Sequence, residues 1–178
     1  MTPTKINLKV WIGTLAGIGF FPKAPGTVGS FITLILSYSL YLWMHPEIGS
    51  DQDSTSWIGQ PEFFQVLFFT FLTLLSSLGV LWSADACEHK WGKDPSPVIL
   101  DEAAGQLLLL VAIPLSGKLT EDWILLLGAF IGFRFFDIVK PLGIRSLQQL
   151  NGGFGILIDD LVAALYAIFV IVGLTFFI

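Results

Sequence analysis

Apolar residues in this chain come in blocks of helical length, separated by short polar stretches. Phe63 to Trp82 contains no charged residue, and its length of about 20 residues suits a helix crossing a ~30 Å hydrocarbon core. Four further blocks follow the same pattern, and together they predict about five spans at 28–44, 63–82, 103–115, 123–139 and 161–178. The first is short unless it starts at Val28, and the third is shorter still. Val10 to Phe21 is apolar as well, but Gly13, Gly17 and Gly19 interrupt it. About 12 residues cannot cross a bilayer as a helix, so this stretch is expected to be interfacial or re-entrant. Pro22 to Ser30 holds two prolines and two glycines and reads as a fixed turn, with Thr27 and Ser30 as N-caps for the next helix. His45–Glu62, Ser83–Leu100 and Gly143–Asp160 read as polar loops, and Ser116–Asp122 as a tight turn. The fold class expected is all-α, a polytopic membrane helical bundle with some short or re-entrant segments, in one domain over 1–178.

Composition agrees with the pattern. Hydrophobic residues make up 54% of the chain and charged ones 13%, and mean hydropathy is +0.77, which marks an integral membrane protein rather than a soluble domain. A net charge of −5 argues against nucleic acid as a partner. The single cysteine, Cys87, excludes a disulfide framework and a cysteine zinc cluster within the chain. No A-x-A-like cleavage site follows the first residues, so no cleaved signal peptide is expected. On the five-span topology, 8 of the 9 basic residues fall on one side, and only Lys118 lies on the other. The positive-inside rule makes the basic side cytoplasmic.

The unusual polar residues all fall on that same side. Asp101-Glu102 stands at the mouth of an apolar block. Arg134, Asp137 and Lys140 are spaced by three, which keeps them within an arc of about 120° on a helix. Gly152-Gly153-Phe154-Gly155 precedes Asp159-Asp160, and Pro22 to Ser30 opens the first span. Charges at membrane depth face the bundle interior. Asp101, Glu102, Asp137, Asp159 and Asp160 form an oxygen-only ligand set suited to Mg²⁺, Ca²⁺ or Mn²⁺ rather than zinc. Clustered carboxylates repel one another unless a cation neutralises them. Lys23, Arg134 and Lys140 are suited to bind phosphate. Backbone N–H groups around Gly153, and at the helix start near Thr27 and Ser30, suit an anion as well. The plain alternatives are an ordinary glycine loop, N-capping by Asp159-Asp160, and an interfacial Arg–Asp pair with a snorkelling lysine. Two motifs are set aside. Asp51-Gln52-Asp53-Ser54-Thr55 has the aspartyl-phosphatase spacing but no strand before it. Cys87 to Lys93 lacks the arginine and the glycine turn of a cysteine phosphate loop. His45 and His89 show no metal partner.

Four of these segments resemble the phosphatidylglycerophosphatase A family. The family's P-x-x-P-G-T-x-G-S is matched by Pro22 to Ser30, and its F-R-x-F-D-x-x-K-P by Phe133 to Pro141. Its D-P-x-x-I-V-x-D-E-x-x-G is matched by Asp94 to Gly105, with Val98-Ile99 in place of Ile-Val. Its G-G-x-G-I-x-x-D-D-x-x-A-G is matched by Gly152 to Ala164, with Ala164 where glycine is usual. The resemblance runs from about Gly13 to Ala164 and implies a Mg²⁺-dependent lipid phosphatase of the bacterial cytoplasmic (inner) membrane. Its substrate would be phosphatidylglycerophosphate and its product phosphatidylglycerol, formed on the cytoplasmic side. The expected metal ligands are Asp101, Glu102, Asp137, Asp159 and Asp160. Asp137, Asp101 and Glu102 are the expected catalytic carboxylates, with Asp137 as general base. Lys23, Thr27, Ser30, Arg134, Lys140 and Gly153 are the expected substrate-binding residues. Two other readings stand beside it. One is a phosphatase of a different lipid phosphate. The other is a small ion-coupled transporter, whose coupling carboxylates would, however, be expected at the midplane rather than at one face.

Overall fold

The structure, a computed structural model, describes residues 7–44, 61–141 and 143–175. The expected loop at 45–60, with His45 and the Asp51–Thr55 motif, lies outside the described residues. All regular structure in the described residues is helical: α1 (Leu8–Gly13), a 3-10 turn (Ile18–Phe20), α2 (Pro25–Met44), α3 (Pro61–Trp91), α4 (Leu100–Ala112), α5 (Leu119–Val139), α6 (Ile144–Leu147) and α7 (Gly153–Thr175). The protein is a helical membrane bundle. Pro25–Met44, Glu62–Trp91 and Gly153–Leu174 are long and apolar enough to cross a bilayer. Their outer faces carry bare apolar side chains, among them Leu36, Phe71, Leu78 and Phe169, as lipid contact requires.

The short helix α4 is the centre. It touches α2, α3, α5 and α7, and Leu100, Asp101, Ala103, Ala104, Gly105, Gln106, Leu107, Leu109 and Leu110 are all buried. Thirteen residues make a helix about 20 Å long, too short for a ~30 Å core. The segment expected as the third span is a thirteen-residue helix buried among its neighbours. Its end needs hydrogen-bond partners where water is absent. Gln65 of α3 donates its Nε2–H groups to the carbonyls of Leu110 at 2.8 Å and Ile113 at 2.6 Å. Asp122, itself buried, accepts from the amides of Ser116 at 2.7 Å and Gly117 at 3.0 Å and from the Tyr38 hydroxyl at 2.6 Å. Helix α5 has the length to cross, but Glu121, Asp122, Arg134 and Asp137 near its two ends give it more charge than the other three long helices carry along their apolar stretches. Its flank is nonetheless bare and apolar at Ile124, Leu127, Ile131, Phe135 and Ile138.

Three boundaries differ from the sequence expectation. Helix α3 continues past Trp82 to Trp91, because Val80, Ser83, Ala84 and Cys87 form a buried stripe at helical spacing against α1, α4 and α7. Helix α2 begins at Pro25, inside the expected turn. Proline is well placed at a first helical position, where its missing N–H has no role. Thr27 and Ser30 are therefore inside the helix, not caps, and the Ser30 hydroxyl bonds back to the Gly26 carbonyl at 2.9 Å. Helix α7 begins at Gly153, which seats against α3: a Cβ there would lie 2.8 Å from Ala84 Cβ. Asp159 and Asp160 thus sit almost two turns inside α7 and are not its caps.

Val10 to Phe21 is broken by left-handed backbone at Leu15, Ala16 and Gly17. It lies along the last turns of α3, with Gly13 against Ser83 and Cys87. The Ile99 amide donates to the Gly13 carbonyl at 3.1 Å, tying this segment to the start of α4.

Candidate active site

Helices α2, α4 and α7 begin, and α3 and α5 end, at the same end of the bundle. Close approaches between small residues bring their polar residues together there. At Gly105 of α4 a Cβ would lie 2.6 Å from Phe133 of α5 and 3.0 Å from the Asp160 carbonyl of α7. Small-residue packing of this kind lets membrane helices approach closely. Asp101-Glu102 is thereby set beside Asp159-Asp160. Gly26 lies over Glu102, where a Cβ would meet Oε1 at 1.8 Å and Arg134 NH1 at 3.3 Å.

The result is a cavity of about 270 Å³ lined by residues of all four constellations. Asp101, Asp137, Asp159 and Asp160 are buried, and Glu102 nearly so. Two cations lie among them. Arg134 NH1 is 2.6 Å from Asp137 Oδ2 and 3.8 Å from Glu102 Oε1. Lys140 Nζ is hydrogen-bonded to Asp159 Oδ2 and lies 3.8 Å from Asp137 Oδ1. Lys140 is the left-handed C-cap of α5 (φ 47°), so its side chain leaves the helical stripe to reach α7. Burial opposes its charge, but the bond to Asp159 and the charges of Asp159, Asp160 and Asp137 outweigh that, and it titrates above the usual lysine range.

Asp101, Glu102 and Asp160 each place a carboxylate oxygen within 4.8 Å of the others. Asp101 Oδ1, Glu102 Oε2 and Asp160 Oδ2 are buried and have no hydrogen-bond partner. Three converging, unpartnered carboxylate oxygens fit a hard divalent cation such as Mg²⁺, which takes oxygen donors. Asp137 differs: both of its oxygens face cations. Asp159 uses Oδ2 on Lys140 and leaves Oδ1 unpartnered.

Of the residues expected to bind substrate, Arg134 and Lys140 line the cavity and Lys23, Thr27, Ser30 and Gly153 do not. Gly153 and Ser30 are occupied by helix packing and a backbone bond, and Lys23 is exposed beside the cavity-lining Ala24. The structure adds Asp94 and Ser96 to the lining, together with Pro25 and Gly26. Asp94 is in left-handed backbone (φ 48°) and accepts from Gln148 Nε2 at 2.9 Å. Its signal in the sequence is a carboxylate opening a rigid Asp-Pro-Ser-Pro bend just before Asp101.

Fold and site together define a class: a helical membrane protein with a buried cluster of carboxylates and cations at one end of the bundle. Comparison with known proteins gives the family. The sequence profile of the family described as phosphatidylglycerophosphatase A matches residues 11–175. The chain is 36% identical over 166 residues to a putative phosphatidylinositol-3-phosphatase of Bacteroides thetaiotaomicron, covering 92% of this chain and 91% of that one. It is 36% identical over 176 residues to phosphatidylglycerophosphatase A of Haemophilus influenzae (97% and 93% covered). It is 28% identical over 153 residues to the Escherichia coli protein of that name (83% and 72%). No solved structure matches significantly. The chain belongs to the phosphatidylglycerophosphatase A family and is a phosphatase, a phosphoric monoester hydrolase.

Proposed function

We propose that this phosphatase is Mg²⁺-dependent and removes the terminal phosphate of phosphatidylglycerophosphate at the cytoplasmic face of a bacterial inner membrane. The observation that carries the reading is the cavity itself, where three carboxylates, each with one unpartnered oxygen, share the lining with two cations. Asp101, Glu102 and Asp160 would hold the ion, which would supply Lewis acidity at the phosphoryl group. Arg134 and Lys140 bind the phosphoryl oxygens and stabilise the charge that grows on them. Asp137 holds both cations in place, which makes it a positioning group rather than the base expected from sequence alone. Asp159 Oδ1 is the cavity oxygen outside the metal set that is open to take a proton from the attacking water. Water leaves its hydroxyl on phosphorus as the phosphorus–oxygen bond to the headgroup breaks, and the proton held on Asp159 goes to the departing alkoxide. The cytoplasmic side is supported by the basic residues gathered at the cavity end, Lys23, Lys90, Lys93, Lys140 and Arg145 among them.

The name of the Bacteroides relative supports a second reading, a lipid phosphate on inositol. One assay separates the two. Purified protein in detergent is given phosphatidylglycerophosphate, phosphatidylinositol 3-phosphate or phosphatidic acid, with and without Mg²⁺. Mg²⁺-dependent release greatest from the first is expected. Greatest release from the inositol lipid overturns the substrate, and full activity after chelation overturns the metal. Glu102→Gln is expected to abolish release while the protein still inserts and folds. Wild-type turnover by that variant at limiting Mg²⁺ would remove Glu102 from the metal set.

A further inference from the structure

Among the described residues, three that line the cavity are exposed: Ala24 from the bend before α2, and Asp94 and Ser96 from the bend before α4. These form the mouth, through which a headgroup must pass. The two sides differ in charge. Asp94 repels an anion, and the exposed Lys93 next to it donates to the Gln149 carbonyl at 3.1 Å. On the other side Lys23, exposed and next in the chain to Ala24, makes no ion pair among the described residues. Arg134 and Lys140, by contrast, are both engaged with carboxylates inside. Lys23 is also not loosely hung. Pro22 and Pro25 flank the Lys23-Ala24 pair, and Ala24 is held in left-handed backbone (φ 49°), a conformation disfavoured for residues with a Cβ. The bend fixes where the lysine leaves the chain.

Phosphatidylglycerophosphate and phosphatidylinositol 3-phosphate share one feature that phosphatidic acid lacks. Both carry the phosphomonoester on a polyol that is joined to the lipid by a phosphodiester. With the monoester among Arg134, Lys140 and the carboxylates, the diester anion comes to the mouth, away from Asp94. We propose that Lys23 binds this phosphodiester and so selects lipids whose headgroup carries a monoester and a diester a polyol apart. The inference rests on the phosphatase reading above.

The test uses the purified full chain in mixed micelles. Wild type is expected to favour phosphatidylglycerophosphate over phosphatidic acid. Lys23→Ala is expected to raise KM for phosphatidylglycerophosphate by about tenfold with kcat little changed, the loss of one charge-assisted bond. The inhibition constant of phosphatidylglycerol, which carries the diester without the monoester, should rise by a similar factor. Preference over phosphatidic acid should collapse, and Lys23→Arg should restore most of it. Unchanged KM and inhibition constant in Lys23→Ala, or an equal proportional loss on both substrates, would overturn the role. A wild-type enzyme with no preference between the two lipids would overturn it as well. Release from neither lipid by folded wild-type protein with Mg²⁺ would instead overturn the phosphatase reading, and this inference with it.

Discussion

Gly26 shows how closely the site is fitted at single residues. Its missing side chain is the space that Glu102 Oε1 occupies, since a Cβ would lie 1.8 Å from that oxygen. The neighbour is the end of a side chain, so Gly26→Ala is expected to fold while pushing Glu102 off its place and Arg134 with it. A displacement near 1 Å at reacting groups lowers rates by about 100-fold. The expected outcome is a loss of kcat of that order with a thermal midpoint close to wild type. A variant of full activity would show that Glu102 can move without consequence. The same scale sorts five similar carboxylates. Asp101, Glu102 and Asp160 have unpartnered oxygens that converge, whereas Asp137 is saturated by cations. The sequence offered all five as candidate ligands, because a side chain's partner across helices is not a property of its own neighbours in the chain.

Helix α4 carries the argument at the scale of elements. It starts beneath the cavity and ends near the start of α3, where Gln65 serves its last carbonyls. Gln65→Leu removes both bonds and leaves two buried acceptors unpaired, which costs about 1–3 kcal/mol for each group. A clear fall in thermal midpoint in detergent is expected, with substrate KM in the surviving folded protein near wild type because Gln65 does not line the cavity. An unchanged midpoint would mean that those carbonyls find other partners. Hydropathy marks 103–115 as a span because Leu107 to Ile113 is uniformly apolar. A helix buried on all sides by protein has the same composition as one wrapped by lipid, and only length and neighbours separate them. The extension of α3 to Trp91 was hidden for a related reason. Ser83, Ala84 and Cys87 are too small and too mixed to read as apolar, yet they are what close packing against α1 and α7 needs.

At the scale of the whole molecule the bundle is asymmetric from end to end. One end holds the cavity and most of the cations, and the other holds Lys118, Glu121 and the Asp122–Tyr38 bond. Sidedness is directly measurable, because Cys87 is fully buried and gives little background to an impermeant thiol reagent. Cysteine placed at the exposed Glu121 should label in intact spheroplasts, and cysteine at the exposed Lys93 only after permeabilisation. The reverse pattern would place the cavity outside and overturn the cytoplasmic assignment.

Some features follow from the sequence because they are local. Helical blocks, membrane character and a set of carboxylates and cations near one end of those blocks depend on composition and spacing along the chain, and the four motifs carry the family in their order. The tertiary structure decided what depends on approach between distant segments. It turned the glycines at 26 and 153 from expected turns, and Gly105 from an ordinary position in an expected span, into contact points between helices. It set Lys23 outside the cavity lining, brought Asp94 into it, and separated Asp101, Glu102 and Asp160, which converge on one another, from Asp137 and Asp159, which pair with Arg134 and Lys140. Burial and pairing arise only when helices remote in the chain meet, and the packing of small residues that lets them meet leaves little trace in hydropathy.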